Sequence, residues 1–298
     1  MKGASTPRLA LAALAVLSLI WGYNWVVMKQ VLRYIDPFDF SAIRALLGAA
    51  TLFLVIVVTR RPAGLVAAPQ VALLGVLQTA AFTALIQWAL VAGGAGKTAV
   101  LVYTMPFWLL ALAWWLLGER IRGVQWVAIA VAAVGLVLIL EPWALGGSAF
   151  SNLLAIGGGL TWALSAVVAK RLRARANIDL LALTAWQMLF GALALCIVAA
   201  LLPSRPIETT AYFYGALAFN AVFATALAWL LWLYVLQHLS AGMAGLSALG
   251  IPLIGVLAGW IELGERPGGL ELAGMLAIGA ALALTSLWSL RAARRQAG

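Results

Sequence analysis

The chain has 298 residues, of which 65% are hydrophobic and only 9% are charged. A soluble domain carries roughly a quarter charged residues, so this composition excludes a water-covered globule and requires lipid as solvent. The net charge of +10 does not indicate nucleic acid here, because the Lys and Arg residues stand in short clusters between apolar runs, where they act as topology and headgroup signals.

In chain order, the runs between charges, Gly and Pro predict ten spans. They are 8–30, 37–59, 69–92, 95–117, 122–140, 149–171, 179–202, 211–237, 240–262 and 269–290. Each span needs ~20 residues, so no sizeable extramembrane domain fits. The first run continues through Trp21 and Asn24 to Val31, which is too long for the apolar core of a signal peptide.

Polar and aromatic residues fall at helical spacing along these spans. Span 1 carries Ser18, Trp21, Asn24 and Met28; span 2 carries Ser41, Arg44, Gly48 and Thr51. Span 3 offers the stripe Thr79, Thr83 and Gln87, with Gln78 and Phe82 beside it. Span 4 has Tyr103, Phe107 and Trp114 around Pro106. Gly158, Trp162 and Ser165 share a face of span 6, and Thr184, Gln187, Met188 and Gly191 a face of span 7. Span 8 holds Asn220, Trp229 and Trp232.

Asn and Gln are costly in lipid, so they face either a water-filled cavity or a hydrogen-bonding neighbour helix. Mid-span Trp21, Trp108 and Trp162 fit core packing and cavity lining equally, whereas Trp126, Trp143 and Trp288 suit the interface. As a set, Trp21, Asn24, Gln78, Phe82, Tyr103, Trp108, Trp162 and Ser165 are expected to line one central cavity for a small-molecule substrate. Arg44, two turns (~11 Å) into its span, has three readings: snorkelling outward, capping carbonyls, or contacting a substrate carboxylate. Pro106 and Pro252 each remove a hydrogen bond and are expected to kink their spans.

The sequence is also written twice. Ala95-Gly96, Pro106, Trp114 and Leu117-Gly118-Glu119-Arg120 recur at a shift of 146 as Ala241-Gly242, Pro252, Trp260 and Leu263-Gly264-Glu265-Arg266. Trp21 and Lys29 recur as Trp162 and Lys170, Gly48 recurs as Gly191, and Arg44 meets Gln187. Two five-span units, 1–146 and 147–298, are expected, and odd parity sets the second upside down. With the N-terminus inside, 13 of the 19 Lys and Arg residues (Lys2, Arg8, Arg60, Arg61, Arg120, Arg122, Lys170, Arg171, Arg173, Arg175, Arg291, Arg294, Arg295) lie on the cytoplasmic side. Both termini are therefore expected in the cytoplasm.

These features together resemble the drug/metabolite transporter superfamily, EamA type, over roughly residues 8–290. Within it, Trp21, Tyr103, Trp108 and Trp162 are similar to the YddG-like aromatic amino acid exporters. The resemblance implies an all-α integral membrane protein of ten helices in two inverted five-helix repeats around a central cavity. It also implies export of aromatic or neutral amino acids, or similar metabolites, across the bacterial inner membrane by alternating access. Gln187, where the first repeat has Arg44, departs from a symmetric carboxylate site.

All nine acids (Asp36, Asp39, Glu119, Glu141, Asp179, Glu208, Glu262, Glu265 and Glu271) sit at span ends or in loops. This argues against a proton relay and for movement down a gradient. A nucleotide-sugar or phosphorylated-metabolite antiporter would need a basic cavity cluster, and Lys29, Arg44 and Lys97 are too few and too near the ends. A membrane enzyme lacks a catalytic set, with one His and one Cys, and duplication disfavours a structural protein. No cofactor, metal site, catalytic residue, nucleic-acid partner or obligatory oligomer is expected.

Overall fold

Turn chemistry sets where the helices begin and end. The computed structural model describes residues 5–117, 123–140, 149–175, 178–228, 231 and 250–297. Its helices are α1 (Ser5–Val31), α2 (Pro37–Val58), α3 (Ala68–Gly75), α4 (Phe82–Ala92), α5 (Ala95–Val102), α6 (Met105–Leu117), α7 (Val124–Leu140), α8 (Ala149–Arg175), α9 (Leu180–Leu201), α10 (Ala211–Ala218), α11 (Gly250–Leu263) and α12 (Gly269–Ala297). A π-helical turn, Val76–Ala81, joins α3 to α4, and a second one, Phe219–Leu227, continues α10. Among the described residues there is no strand.

Pro37 occupies the first turn of α2, where its missing N–H costs nothing. The Asp179 carboxylate starts α9 by accepting from the N–H groups of Leu181 and Ala182 at 2.9 and 3.0 Å, and Arg61 lies 3.6 Å from it. The Thr210 hydroxyl starts α10 by accepting from Phe213 N–H at 3.2 Å.

Among the described residues, six helical stretches are long and apolar enough to cross a membrane: Ala12–Val31, Pro37–Val58, Ala68–Ala92, Ala95–Leu116, Ala149–Ala169 and Leu180–Leu201. Shorter apolar helices cover Val124–Ile139, Ala211–Leu227, Ile251–Leu263 and Gly269–Leu284. The outward faces are apolar: Val58, Trp115, Leu201 and Ile261 are 72%, 74%, 78% and 80% exposed. Such faces would not stay in water, and they suit acyl chains.

Without a hydrophobic drive in lipid, the helices rely on close packing. Helices α7 and α12 cross at glycine: a Cβ on Gly135 would stand 2.8 Å from the Gly274 carbonyl, and one on Gly274 would stand 2.6 Å from the Gly135 carbonyl. Helices α2 and α9 pack through Ala49, Leu52, Ile56, Leu181, Ala185 and Met188. Each also meets one π turn. A Cβ added to Gly48 would sit 2.5 Å from Thr225 Cγ2, and one added to Gly191 would sit 2.4 Å from Thr79 Cβ.

The expected break in span 4 is sharper than a bend. Helix α5 stops at Val102, Tyr103 and Thr104 form a turn, and α6 begins at Met105. Pro106 has no N–H to offer the Val102 carbonyl. Helix α8 packs closely there, and a Cβ on Gly159 would lie 2.9 Å from that carbonyl oxygen. Pro252 is buried in the first turn of described α11. Gly118-Glu119-Arg120, Glu141, Trp143, Trp229, Trp232 and the expected hairpin at 238–242, with Ala241-Gly242, lie outside the described residues.

Candidate functional site

A cavity opens where the two π turns face α1, α2, α5 and α8. Its wall comprises Trp21, Asn24, Trp25 and Met28 of α1, Arg44 and Ala45 of α2, and Gln78, Thr79, Phe82, Thr83 and Ile86 of the first π turn and α4. Val102, Tyr103, Trp162, Met188, Ala224 and Thr225 complete it. The space open to the centres of water molecules is ≈ 110 Å³. π-Helical turns are rare and occur frequently at functional sites, and here both contribute side chains to one wall.

Of the eight side chains expected from the sequence, the structure brings Trp21, Asn24, Gln78, Phe82, Tyr103 and Trp162 to this cavity. Trp108 and Ser165 are not among its lining residues. Trp108 lies beyond the α5–α6 break, and its indole N–H donates to Thr104 Oγ1 at 3.2 Å. Ser165 is 1% exposed, and its hydroxyl donates to the Trp162 carbonyl at 2.7 Å. Thr83, Met188 and Thr225 line the cavity without having been singled out for it. Thr79, Thr83 and Gln87 were legible as one polar stripe, but Gln87 is fully buried.

The aromatic wall is specific in its geometry. Trp162 stands between Phe82, 5.4 Å away between ring centroids and tilted by 51°, and Tyr103, 5.7 Å away and at 86°. These are the separations that ring quadrupoles favour. Trp21 is fixed to another part of the wall, its indole N–H donating to the Ala224 carbonyl of the second π turn at 2.9 Å.

The polar wall centres on Arg44, which points inward and does not snorkel. Arg44 Nη1 donates to Asn220 Oδ1 at 2.8 Å and lies 3.0 Å from Met28 Sδ. Among the described residues no carboxylate is paired with it. Desolvating an ion costs several kcal/mol, more than the ~1.5–3 kcal/mol returned by one charged hydrogen bond. Asn24, one turn before Met28 and thus ~6 Å along the axis, has an Oδ1 that is buried without a partner. Gln87 Nε2 and Oε1 are likewise unpartnered. Gln187, which the sequence repeat aligns with Arg44, is instead satisfied by the Thr79 hydroxyl at 2.9 Å.

The profile described as the EamA-like transporter family matches this chain over residues 8–141 and again over 149–287. The uncharacterized transporter YvbV of Bacillus subtilis (strain 168) is 31% identical over 300 residues, with 96% of this chain and 94% of that protein covered. A protein of Salmonella typhimurium (strain LT2) named a probable amino-acid metabolite efflux pump is 27% identical over 279 residues, covering 89% of this chain and 90% of its own. A solved crystal structure at 17% identity superposes with a TM-score of 0.67 over 94% of this chain and 97% of the other, which shows a shared fold. The family and these relatives carry the names of transporters, not of enzymes.

Proposed function

Because the chain belongs to the EamA-like transporter family, within the drug/metabolite transporter superfamily, and is a multi-pass membrane transporter, we propose that it exports aromatic and other neutral amino acids by alternating access. In this reading it has ten spans in two inverted halves, 1–146 and 147–298, with both termini in the cytoplasm and the cavity of Trp21, Asn24, Gln78, Phe82, Tyr103 and Trp162 as the substrate site. The inverted duplication is supported by the family profile matching twice and by the paired contacts Gly48–Thr225 and Gly191–Thr79.

The observation that carries the substrate class is the cavity's chemistry. A guanidinium with no carboxylate partner among the described residues (Arg44) and an orphaned acceptor (Asn24 Oδ1) share one wall with three aromatic rings. An α-amino acid presents a carboxylate and an ammonium on one carbon, and so offers both an anion for Arg44 and a donor for Asn24. The carboxylate seats on Arg44 as a charge-assisted pair, and the ammonium donates to Asn24. A benzyl or indolyl side chain then packs against Trp162 and its neighbours. A phosphate-bearing substrate would want several cations, and Arg44 is the one cation in this wall.

Tryptophan counterflow in liposomes tests the reading. Phenylalanine should compete within about tenfold of tryptophan. Tryptamine, which lacks the carboxylate, and indole-3-propionate, which lacks the amine, should each be at least ~10-fold weaker, the loss of about one charged hydrogen bond. Equal competition by tryptamine would reject Arg44 as the carboxylate partner, and absence of any amino acid counterflow would reject the substrate class.

A further inference from the structure

At the end of the molecule formed by the α4–α5 turn, charges from distant parts of the chain close on one hairpin. Glu265, in the loop after α11, reaches the first turn of α5. Its Oε1 accepts from Ala95 N–H at 2.8 Å and its Oε2 from Gly96 N–H at 3.1 Å. The first N–H groups of a helix have no partner within it, and the helix dipole favours an anion there. The seat is cleared by glycine: a Cβ on Gly94 would lie 2.9 Å, and one on Gly259 2.8 Å, from Glu265 Oε2.

The other arm of the turn is held by the opposite sign. Lys29 Nζ, from α1, donates to the Leu90 and Val91 carbonyls at 2.6 and 3.3 Å, at the C-terminal end of α4. Lys97 in the first turn of α5 pairs with Glu271 of α12 at 3.6 Å. Beside this turn, Leu90, Ala99 and Leu101 are each 0% exposed, so α4 and α5 lie packed against their neighbours there.

The parts of this closure belong to the segments that the sequence writes twice. Ala95-Gly96, Lys29 and Glu265 recur as Ala241-Gly242, Lys170 and Glu119. Both halves keep this set although Arg44 has diverged to Gln187. A cap that only stabilised one turn would need no second copy.

We propose that Glu265 is the latch of a gate: while its carboxylate caps α5, the α4–α5 hairpin is pinned to α11 and the cavity is shut at that end. Loss of the cap lets the hairpin part from α11 and admits solvent to the cavity. The latch rests on the alternating-access reading for its purpose, but not on which solute is carried.

The test reads accessibility rather than transport. In a Cys196→Ala background, a cysteine replaces Thr83 in the cavity wall, and a membrane-impermeant thiol reagent is added on the side where an exposed Arg33→Cys marker reacts. Glu265→Gln should raise the labelling rate about fivefold or more, as expected for loss of a charged helix cap. Gly259→Ala, which puts a methyl group where the carboxylate sits, should do the same, and the double variant should add nothing. Should Glu265→Gln fail to fold, Gly259→Ala alone decides. Unchanged labelling in folded Gly259→Ala and Glu265→Gln proteins overturns the latch, whatever counterflow shows. A raised rate in a protein without amino acid counterflow keeps the latch and rejects the substrate reading instead.

Discussion

At the scale of single residues, the cavity separates side chains that hold charge from those that sort shape. Arg44→Gln keeps a hydrogen-bond donor near Asn220 but removes the cation. Tryptophan affinity should fall about tenfold or more while tryptamine affinity stays within about twofold, since one charged hydrogen bond is worth ~1.5–3 kcal/mol; competition counterflow reads both. Trp162→Ala removes the ring that touches both Phe82 and Tyr103. Each such pair contributes ~0.5–1.5 kcal/mol beyond burial, so preference for tryptophan over alanine should drop by about threefold to tenfold. Trp108→Ala, outside the cavity wall, should leave that ranking in place. Composition and spacing made these residues visible as candidates. They did not reveal that Arg44 turns inward, because a long cationic side chain two turns from a span end can reach either way and only its neighbours, Met28 and Asn220, decide.

At the scale of elements, charges and Pro marked the helix ends closely: the expected 37–59 and 179–202 are found as Pro37–Val58 and Leu180–Leu201. What stayed hidden were the π turns at Val76–Ala81 and Phe219–Leu227, since widening a helix by one residue per turn changes neither its hydropathy nor its length. A mid-span position did not tell whether Trp108 packs or lines the cavity: it lies beyond the α5–α6 break, where its indole N–H donates to Thr104 Oγ1. The break gives a prediction. Pro106→Ala restores an N–H for the Val102 carbonyl, so α5 and α6 should join more stiffly. Thermal stability should hold or rise while the counterflow rate falls several-fold. Faster transport in this variant would mean that the break has no part in the cycle. Gly191→Val, by contrast, drives a branched side chain into Thr79 and the Gly75 carbonyl. Overpacking of this kind costs ~1–3 kcal/mol and should appear as a lowered melting temperature in detergent.

At the scale of the whole molecule, no acid lines the cavity wall among the described residues, and a carboxylate is the usual proton carrier within a membrane. Amino acid flux into liposomes should therefore follow the substrate gradient alone and should not change when a pH gradient is imposed or collapsed with a protonophore; a gradient-dependent overshoot would refute this. Topology is checked separately. A reporter fused after Gly298 should be active in its cytoplasmic form, as the 13 to 6 division of Lys and Arg requires. The apolar helices were legible because the lipid requirement acts on every residue. The contacts between them were not, because in lipid they depend on which small residues meet, and a chain with 29 glycines offers many equivalent choices.

The glycine crossing of α7 and α12 also bears on how the protein is made. Gly135 and Gly274 are separated by nearly the whole second half, and a chain is synthesised from its N-terminus at about 5–20 residues per second. For that interval α7 has emerged without the helix whose glycine meets Gly135. Completion of the bundle must wait for the final helix to leave the ribosome. A chain cut short before Gly269 would present a bare small-residue seam to the bilayer, open to pairing with other proteins and to the membrane's quality-control proteases.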